Sequence, residues 1–369
     1  MENQSSITFL PAMHGDALFL HCHKDGQEGI IIVDGGPSGN ATKNPFVREI
    51  ENLPQKDLML LTHFDDDHLW GIKSYIKKHR NDEHFPVRQL WVNCARHIDF
   101  PQSGELSAPK ASSLADILNE ISKRDGIIWK PYITEAPEPI DLGYAVIDVL
   151  NPNVGMLEKF IPLYEQEAKV PQRQAGLPLG AGAESRAQED IKVELTELAK
   201  REKVEPKGDS YRQMANMVSI SFVYRCDGLI GLLLGDSFPQ QIIPALERRG
   251  FSKEHKLKVD FVKVSHHGSR NNICNELLDM IDCKNFLIST NGGNSSSCHP
   301  DREAMANILC HEGRNLDETV HLYFNYSLAV ITSRKHFRLF RDDDAKKYNF
   351  VIHEPNETQG RDTYQLTFA

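Results

Sequence analysis

The chain is organised around residues 58–68, which read LMLLTHFDDDH. The four apolar residues that open this stretch predict a buried strand. Imidazole and carboxylate side chains then crowd the positions that follow, at His63, Asp65, Asp66, Asp67 and His68. The neighbouring carboxylates repel one another unless a cation offsets their charge, and imidazole and carboxylate are ligands shared by Zn²⁺, Mn²⁺ and Fe²⁺. The stretch therefore predicts a metal site, and its density favours two ions over an acidic, solvated loop with two unrelated histidines.

Length and net charge limit the class of protein. The chain has 369 residues and a 40% apolar composition, enough for one large α/β domain or a domain with a long insertion. Its 42 Lys and Arg residues against 52 Asp and Glu residues give a net charge of −10. A negative net charge gives no sign of a Lys- and Arg-rich surface that would bind duplex nucleic acid. Metal ions can nevertheless supply the positive charge that a nuclease needs.

Three features predict a soluble, cytoplasmic protein. The N-terminal residues lack the basic and apolar regions of a secretory signal. No run reaches the roughly 18 apolar residues that a membrane span requires, so a membrane is not an expected partner. The seven cysteines are scattered without paired spacing, which favours a reducing compartment over a disulfide framework.

The periodicity of apolar residues predicts a layered α/β fold. Short strands dominate the first third of the chain, and a helix is expected at residues 69–78. A further helix is predicted to begin at the N-cap Ser113, with Asp116 three residues later. Strands and helices alternate over residues 218–311, and strand-like runs continue from Leu322 to the C terminus. This order predicts two central sheets with helices on both sides.

Residues 154–213 differ in composition from the rest of the chain. They include a stretch rich in Pro, Gly and Ala at 171–182 and a highly charged segment at 184–205. One narrow apolar stripe in the charged segment predicts a surface helix. We interpret 154–213 as an insertion or lid, and as the candidate contact for a protein partner or a homodimer. The main domain is expected to span 1–345, with 346–369 as a C-terminal strand or extension packed on it.

Polar motifs follow several predicted strands, where an α/β scaffold exposes functional groups. Asp236 follows a buried strand and is placed either to bridge two cations or to cap the next helix. The adjacent His266 and His267 offer one ring to a metal and the other to substrate, or are two surface histidines. His299 opens a predicted helix and either contacts an anionic oxygen or serves as a helix cap. Asn216 carries no signal by itself.

Together these motifs resemble the metallo-β-lactamase superfamily, whose members carry His-x-His-x-Asp-His, a later His, a bridging Asp and a final His. The form found here, with Asp65 in place of the second His, resembles the hydrolase domain of bacterial competence DNA-uptake channel proteins. The supporting motifs occur in the same order over roughly residues 7–340. They are Gly15-Asp16-Ala17, Asp34-Gly35-Gly36, Leu234-Gly235-Asp236, His266-His267-Gly268-Ser269 and His299-Pro300. The resemblance implies an α/β fold of the αββα sandwich type, in a soluble relative without the membrane channel.

The resemblance also implies two divalent metal ions, Zn²⁺ or Mn²⁺, with Fe²⁺ as a further candidate. The first ion would be held by His63, Asp65 and Asn216. The second would be held by Asp67, His68 and His266. Asp236 would bridge the two ions, and Asp67 or Asp236 would orient the attacking water.

The expected substrate contacts lie in the later motifs. His267 is the candidate for protonating the leaving group or contacting the phosphate. His299 is a candidate phosphate contact, and Ser269 and Asn294 are further candidate substrate-binding residues. Asp66 is expected to point away from the metal ions.

Two residues depart from the family pattern. His14 stands where the competence branch more often has Gln before Gly-Asp. Asn216 stands where most superfamily members carry the third-motif His, and Asn is a weak ligand. We therefore expect one of the two metal sites to be weakly held.

The leading functional hypothesis is metal-dependent hydrolysis of phosphodiester bonds in DNA or RNA, preferably in single strands. The acidic net charge also suits a smaller phosphodiester substrate such as a cyclic nucleotide. A third hypothesis is a metal-bearing sensor or partner-binding module without turnover. Hydrolysis of β-lactams is not expected for a chain without an export signal.

Overall fold

A computed structural model describes most of the chain. The described residues are 4–93, 99–100, 112–167, 190–208, 211–293, 298–335, 338–355 and 364–368. The strands are β1 (Ser6–Phe9), β2 (Leu18–Lys24), β3 (Gln27–Val33), β4 (Leu58–Leu61), β5 (Gln89–Val92), β6 (Asp99–Phe100), β7 (Ser112–Ser113), β8 (Ile128–Lys130), β9 (Ile140–Asp141), β10 (Val146–Asn151), β11 (Ser221–Cys226), β12 (Leu229–Leu233), β13 (Leu257–Lys258), β14 (Phe261–Lys263), β15 (Ile281–Asp282), β16 (Asn285–Ile288), β17 (Val320–Phe324), β18 (Phe350–His353) and β19 (Tyr364–Leu366). The helices are α1 (Phe46–Asn52), α2 (Asp66–His79), α3 (Leu114–Asp125), α4 (Val154–Glu167), α5 (Leu195–Leu198), α6 (Tyr211–Met217), α7 (Pro239–Arg248), α8 (Asn275–Asp279), α9 (Arg302–Cys310), α10 (Leu328–Lys335) and α11 (Asp344–Lys347).

Two mixed sheets lie at the centre of the fold. The first sheet has the strand order β19-β1-β2-β3-β4-β5-β8, and the second has the order β18-β17-β16-β14-β12-β11-β10-β9. The C-terminal part of the chain reaches both of them, because β18 pairs with β17 in the second sheet and β19 pairs with β1 in the first. Two short strand pairs, β13 with β15 and β6 with β7, lie outside the main sheets.

Three hydrophobic layers stack the sheets and helices into a sandwich. The central layer lies between the sheets, where Phe9 of the first sheet shares one buried cluster with Phe222 and Phe261 of the second. The helices α1, α2 and α3 cover the outer face of the first sheet, and α7, α8 and α9 cover that of the second. Burying one face of each sheet against helices and the other against its partner accounts for the near-continuous apolar strands. The predicted αββα sandwich is confirmed.

The strands that precede the polar motifs run parallel within each sheet. In the first sheet β3 pairs with β4, and in the second β12, β14 and β16 pair in turn. Carboxyl ends of parallel strands meet at one edge of a sheet, where functional groups gather. Two hydrogen bonds connect this edge of the first sheet with that of the second. Ile220 N donates to Thr62 O at 2.8 Å, and Ser289 Oγ donates to Gly15 O at 2.7 Å. Motifs far apart in the sequence are thereby brought to one place.

Several local predictions agree with the structure. The apolar runs at Leu58–Leu61 and Gln89–Val92 form β4 and β5. Helix α3 begins with the predicted capping box, in which Ser113 Oγ accepts from Asp116 N and the Asp116 side chain accepts from Ser113 N. Both kinds of signal are local and strong, which explains their accuracy.

The charged segment at 184–205 differs from the prediction. Among its described residues, 190–205, the structure has the four-residue helix α5 instead of a long surface helix. Leu195 and Leu198 are fully buried against α9. Charged residues of the segment form ion pairs with the same helix. The buried Glu303 carboxylate of α9 lies 2.9 Å from Lys203 Nζ. Residues 168–189, including the Pro-rich stretch, lie outside the described residues.

The region after Leu322 also differs from the prediction of strands alone. Helices α10 and α11 separate β17 from β18. Ile331 of α10 is fully buried in the core of the second sheet. The Asp344 carboxylate at the start of α11 accepts from Arg302 Nη1 at 2.6 Å. These tertiary contacts override the local strand preference of the sequence.

No helix among the described residues is long and apolar enough to cross a membrane.

Candidate metal centre

The turn between β4 and α2 places the first polar motif at the joined edge of the sheets. His63 and His68 are 3% and 0% exposed, and their ring centroids lie 4.2 Å apart. Asp65 is the N-cap of α2 and Asp67 lies in its first turn. Asp66, between them, is exposed at the surface. The motif therefore directs most of its ligand-type side chains to one buried point.

Gly15 allows the loop after β1 to approach this turn. A Cβ atom on Gly15 would lie 1.8 Å from the Asp67 carbonyl oxygen, so no larger residue fits. The next residue, Asp16, donates its backbone N–H to the same oxygen at 3.2 Å. The Gly15-Asp16 pair thus packs against the start of α2 and places the Asp16 carboxylate behind the site.

Asp236 lies at the centre of the cluster. It follows β12, it is 2% exposed, and imidazole nitrogens approach it from four directions. The distances from its carboxylate oxygens to Nε2 are 3.8 Å for His63, 3.4 Å for His68, 3.6 Å for His266 and 4.0 Å for His267. A carboxylate surrounded in this way can be shared between two cations.

His266 and His267 reach Asp236 together because of an unusual backbone turn. Both residues lie in the short 3₁₀ turn Ser265–Gly268 with positive φ values of 47° and 56°. This left-handed conformation is costly for residues with a side chain and is typical of functional sites. In a regular strand the two rings would point to opposite faces; here both point toward the same carboxylate.

Each of the four histidines is oriented through its Nδ1 atom. His267 Nδ1 donates to Ser289 O at 2.9 Å, and His266 Nδ1 donates to Asn272 Oδ1 at 3.1 Å. His68 Nδ1 donates to Asp34 Oδ2 at 2.7 Å. His63 Nδ1 donates to Thr62 Oγ1 at 3.1 Å, and that hydroxyl donates to Asp34. Fixing Nδ1 as the donor leaves Nε2 for a metal ion, which is how metal-binding histidines are held in place.

A buried ion pair lies behind His267. Lys263 Nζ is 2.6 Å from Asp16 Oδ2, and the second oxygen of Asp16 is 3.3 Å from His267 Nδ1. On the other side of the ring, His267 Nε2 is 3.2 Å from Asp67 Oδ2. His267 is therefore held between two carboxylates, one of which is neutralised by lysine.

The donor set fits divalent cations. Within the described residues, several buried polar atoms of the cluster make no hydrogen bond, namely His63 Nε2, His68 Nε2, Asp236 Oδ1 and Asn216 Oδ1. Leaving buried polar atoms without partners is unfavourable unless another group satisfies them. Among the described residues, three sets of ligand atoms lie within 4.8 Å of one another: those of His63, His68 and Asp236, those of Asp67, His68 and His267, and those of Asp16, Asp34 and His68. Such a set of imidazoles and carboxylates suits Zn²⁺, Mn²⁺ or Fe²⁺.

The protonation of the metal-free cluster follows from burial and neighbouring charge. Burial lowers the pKa of His63 to about 3, and the nearby His68 adds to the effect. Burial together with repulsion from Asp67 raises the pKa of Asp65 to about 8. Burial opposes charge on His267, but the carboxylates of Asp16 and Asp236 outweigh it and raise its pKa to about 10. The metal-free site thus retains protons that a metal ion has to displace.

The remaining predicted site residues are Asn216, His299, Ser269 and Asn294. Asn216 lies beside His266, with Nδ2 3.5 Å from its Nδ1 atom. The His299 ring centroid is 5.1 Å from that of His266, and its Nδ1 contacts Asp301 at 3.1 Å. Ser269 is buried at the end of the histidine turn, where its backbone N–H donates to His266 O. Asn294 lies outside the described residues.

Sequence reasoning missed the residues that hold the histidines in place. These residues are Lys263, Asn272 and Ser289, which lie near the histidines only once the chain has folded. The sequence does carry one signal for Lys263. A lysine buried in the otherwise apolar strand β14 is unfavourable unless an opposite charge lies beside it. Asn272 and Ser289 carried no such signal.

Comparisons with known proteins add the following. No protein-family model and no curated protein matches the chain. Among solved structures, the chain is similar to a mutant of the CmlA beta-hydroxylase, with 12% identity, a TM-score of 0.39, and coverage of 99% of this chain and 54% of that one. It is also similar to YhfI from Bacillus subtilis, a metallo-beta-lactamase fold protein, with 9% identity, a TM-score of 0.38, and coverage of 96% and 97%.

A third similar structure is Tm1679, a metal-dependent hydrolase of the beta-lactamase superfamily. It has 13% identity and a TM-score of 0.39, with coverage of 84% of this chain and 94% of that one. The chain spans about half the length of the CmlA beta-hydroxylase. At these similarities the αββα assignment rests on the layers of the structure itself. The narrower resemblance to competence channel proteins stays a prediction.

Proposed function

We propose that this chain is a metal-dependent hydrolase of the metallo-β-lactamase superfamily that cleaves phosphodiester bonds in nucleic acids or nucleotides. The observation that carries this proposal is the position of Asp236, whose carboxylate has four imidazole Nε2 atoms within 4.0 Å. A structural salt bridge needs one such partner. Four imidazoles around one buried carboxylate instead support a site for two cations.

The assignment of ligands proposed here differs from the one implied by the resemblance and divides the His63, His68 and Asp236 set between the two ions. In the first site we place His63, Asp65 and His266. In the second site we place Asp67, His68 and His267. Asp236 would be shared by the two sites: its Oδ1 faces His68 of the second site, and its Oδ2 faces His63 and His266 of the first site and, at 4.0 Å, His267 of the second.

This assignment does not require Asn216 as a ligand, although its Oδ1 is buried and makes no hydrogen bond to the described residues. The residue lies against the Nδ1 side of His266, together with Asn272. We propose that His266, oriented by the hydrogen bond from its Nδ1 to Asn272 Oδ1, takes the ligand position left by the missing third-motif histidine. His267 is then a ligand and not the leaving-group acid, since its Nε2 faces Asp67 inside the cluster.

His299 is the better candidate for contact with the substrate. It lies next to His266, and its side chain is 18% exposed. Its Nδ1 atom contacts Asp301, and in the imidazolium form its Nε2 would donate to a phosphate oxygen or to the leaving group. A pair of divalent ions, when bound, would lower the pKa of a water molecule and offset the charge of the phosphate. Asp65 and Asp67 would orient that water by accepting hydrogen bonds.

The proposal is tested by metal analysis combined with a substrate panel. The purified chain would be analysed for Zn, Mn and Fe, stripped with a chelator and reloaded with each ion. It would then be assayed on bis(p-nitrophenyl) phosphate, single-stranded DNA, RNA and cyclic nucleotides. We expect metal-dependent cleavage that is lost in Asp236→Asn and retained in Asp66→Asn, whose carboxylate is exposed. A chain that binds less than one ion and cleaves none of these substrates contradicts the proposal and supports a binding module.

Cleavage of cyclic nucleotides alone would support the smaller substrate that the acidic net charge suits. The partner or homodimer contact through 154–213 stays a prediction.

A further inference from the structure

We propose that Trp70 and Lys73, on the exposed side of α2, form a platform that binds a nucleobase beside the metal centre. This inference rests on the proposed function and names the class of substrate, one that carries an aromatic base next to the phosphodiester. Neither residue belongs to the motifs that hold the metal ions.

The helix places Trp70 next to a proposed metal ligand. Trp70 follows Asp67 by three residues and Asp66 by four, so their Cβ atoms are neighbours at about 5–6 Å on the helix surface. Side chains on a helix lean toward its N terminus, and a residue covers the turn before its own Cα. On this geometry the Trp70 indole is expected over the first turn of α2, between Asp66, which is exposed, and Asp67, whose Oδ2 is 3.2 Å from His267 Nε2.

Trp70 is exposed although its neighbours are buried. The side chain is 41% exposed, whereas Leu69 is 6% exposed and Ile72 is fully buried. The same helix thus packs its apolar residues into the core and presents its largest aromatic residue to solvent. An exposed indole contributes little to the core, and a base would stack on the face opposite to the one that Lys73 contacts.

Lys73 gives the platform a positive charge. Its Nζ atom lies 4.9 Å from the centroid of the Trp70 ring, within the range of a cation–π contact. A base stacked on the indole would bring its own phosphates near this ammonium group and near the metal centre. An aromatic face with an adjacent cation is how proteins bind nucleotides without selecting a base. The platform therefore predicts recognition of any nucleobase, in a free nucleotide or in a single strand.

The experiment compares binding and turnover in matched variants of the full chain. Binding is followed by quenching of tryptophan fluorescence in the metal-free protein, with dTMP against ribose 5-phosphate as probes. Turnover is followed on a thymidine dinucleotide and on oligo(dT), using protein reloaded with metal. The variants are Trp70→Ala, Trp70→Phe and Lys73→Met. The control is Tyr132→Ala, which removes another exposed aromatic residue, 61% exposed and outside α2.

We expect dTMP, and not ribose 5-phosphate, to quench the fluorescence of the native chain. Trp70→Ala should raise KM for the dinucleotide about tenfold, the loss of roughly one stacked base. Trp70→Phe should restore most of that loss, and Tyr132→Ala should have no effect. A lower KM for oligo(dT) than for the dinucleotide would identify a strand as the preferred substrate, whereas equal values would identify a nucleotide.

The outcomes separate this inference from the proposed function. Cleavage of bis(p-nitrophenyl) phosphate with an unchanged dinucleotide KM in Trp70→Ala would overturn the platform and leave the hydrolase intact. Quenching by dTMP that is lost in Trp70→Ala, without cleavage of any phosphodiester, would support the platform and overturn the hydrolase. Equal quenching by dTMP and ribose 5-phosphate would also overturn the platform.

Discussion

The Nζ atom of Lys263 lies 2.6 Å from Oδ2 of Asp16, and neither side chain is more than 2% exposed. The pair lies directly behind His267, so the lysine offsets a carboxylate that the site needs for orientation. Burying two charges is unfavourable in itself, and the pair persists because each partner compensates the other. Lys263 Nζ also donates to the carbonyl oxygen of Val264 at 2.9 Å, which adds a second fixed partner.

Removing one partner of this pair should destabilise the protein strongly. We expect Lys263→Met to lower the free energy of unfolding by about 3–5 kcal/mol, because it leaves Asp16 buried and uncompensated. The double variant Lys263→Met with Asp16→Asn should lose less than the sum of the two single variants. Urea denaturation of the metal-free chain measures both. Lys284→Met, which breaks an ion pair at the surface with Glu318, is the control and should cost at most about 1 kcal/mol.

The two adjacent histidines should each hold a different metal ion. We expect His266→Asn and His267→Asn each to lower the bound metal by about one ion per chain, and Asp236→Asn to lower both. Elemental analysis after dialysis measures the content, and His311→Asn, a histidine paired with Asp279 outside the site, is the control. Full metal content in His267→Asn would show that His267 is not a ligand.

Metal binding should depend on pH in one direction. In the metal-free chain the pKa of His267 is raised to about 10 and that of Asp65 to about 8, so both groups carry protons at pH 7. A metal ion has to displace these protons, so its affinity should increase as pH rises toward those values. Calorimetry in buffers of different ionisation enthalpy measures the protons released. Metal binding at pH 7 without any proton release would contradict the protonation described here.

The segment at 190–208 should contribute to stability as part of the core. Leu198 is fully buried against α9, so Leu198→Ala should lower the free energy of unfolding by about 2–5 kcal/mol. Val204 lies in the same segment and is 67% exposed, and Val204→Ala should change stability by less than about 0.5 kcal/mol. Thermal denaturation of the two variants in parallel tests the difference. Equal effects would mean that the segment does not pack as described.

The sequence predictions were accurate where the deciding interactions lie close together in the chain, and they were wrong where those interactions join distant residues. The strand at Leu58–Leu61 and the capping box at Ser113 were predicted well, because their signals lie within a few residues. The surface helix predicted at 184–205 was wrong over its described residues, 190–205, because ion pairs with Glu303 hold there a charged segment that looks solvated in sequence. Pairing between distant charges has no local signature.

In the candidate site, too, local features were predictable from the sequence and long-range ones were not. The residue types at 63–68 already indicated metal ligands, since crowded carboxylates and imidazoles need a cation. The convergence of His266 and His267 on Asp236 was not predictable, because it depends on positive φ values at both residues. The identity of their Nδ1 partners, Asn272 and Ser289, depends on how neighbouring strands pack.

By itself, the sequence determined the alternation of strands and helices, the αββα layers and the chemical character of the site. These features depend on the spacing of apolar residues and on the intrinsic chemistry of Asp and His. Only the tertiary structure decided that Asp236 stands among four histidines, that Lys263 and Asp16 lie behind His267, and that Trp70 of α2 remains exposed. Each of these relationships joins or separates residues that are distant in sequence, and their geometry exists only once the two sheets have packed together.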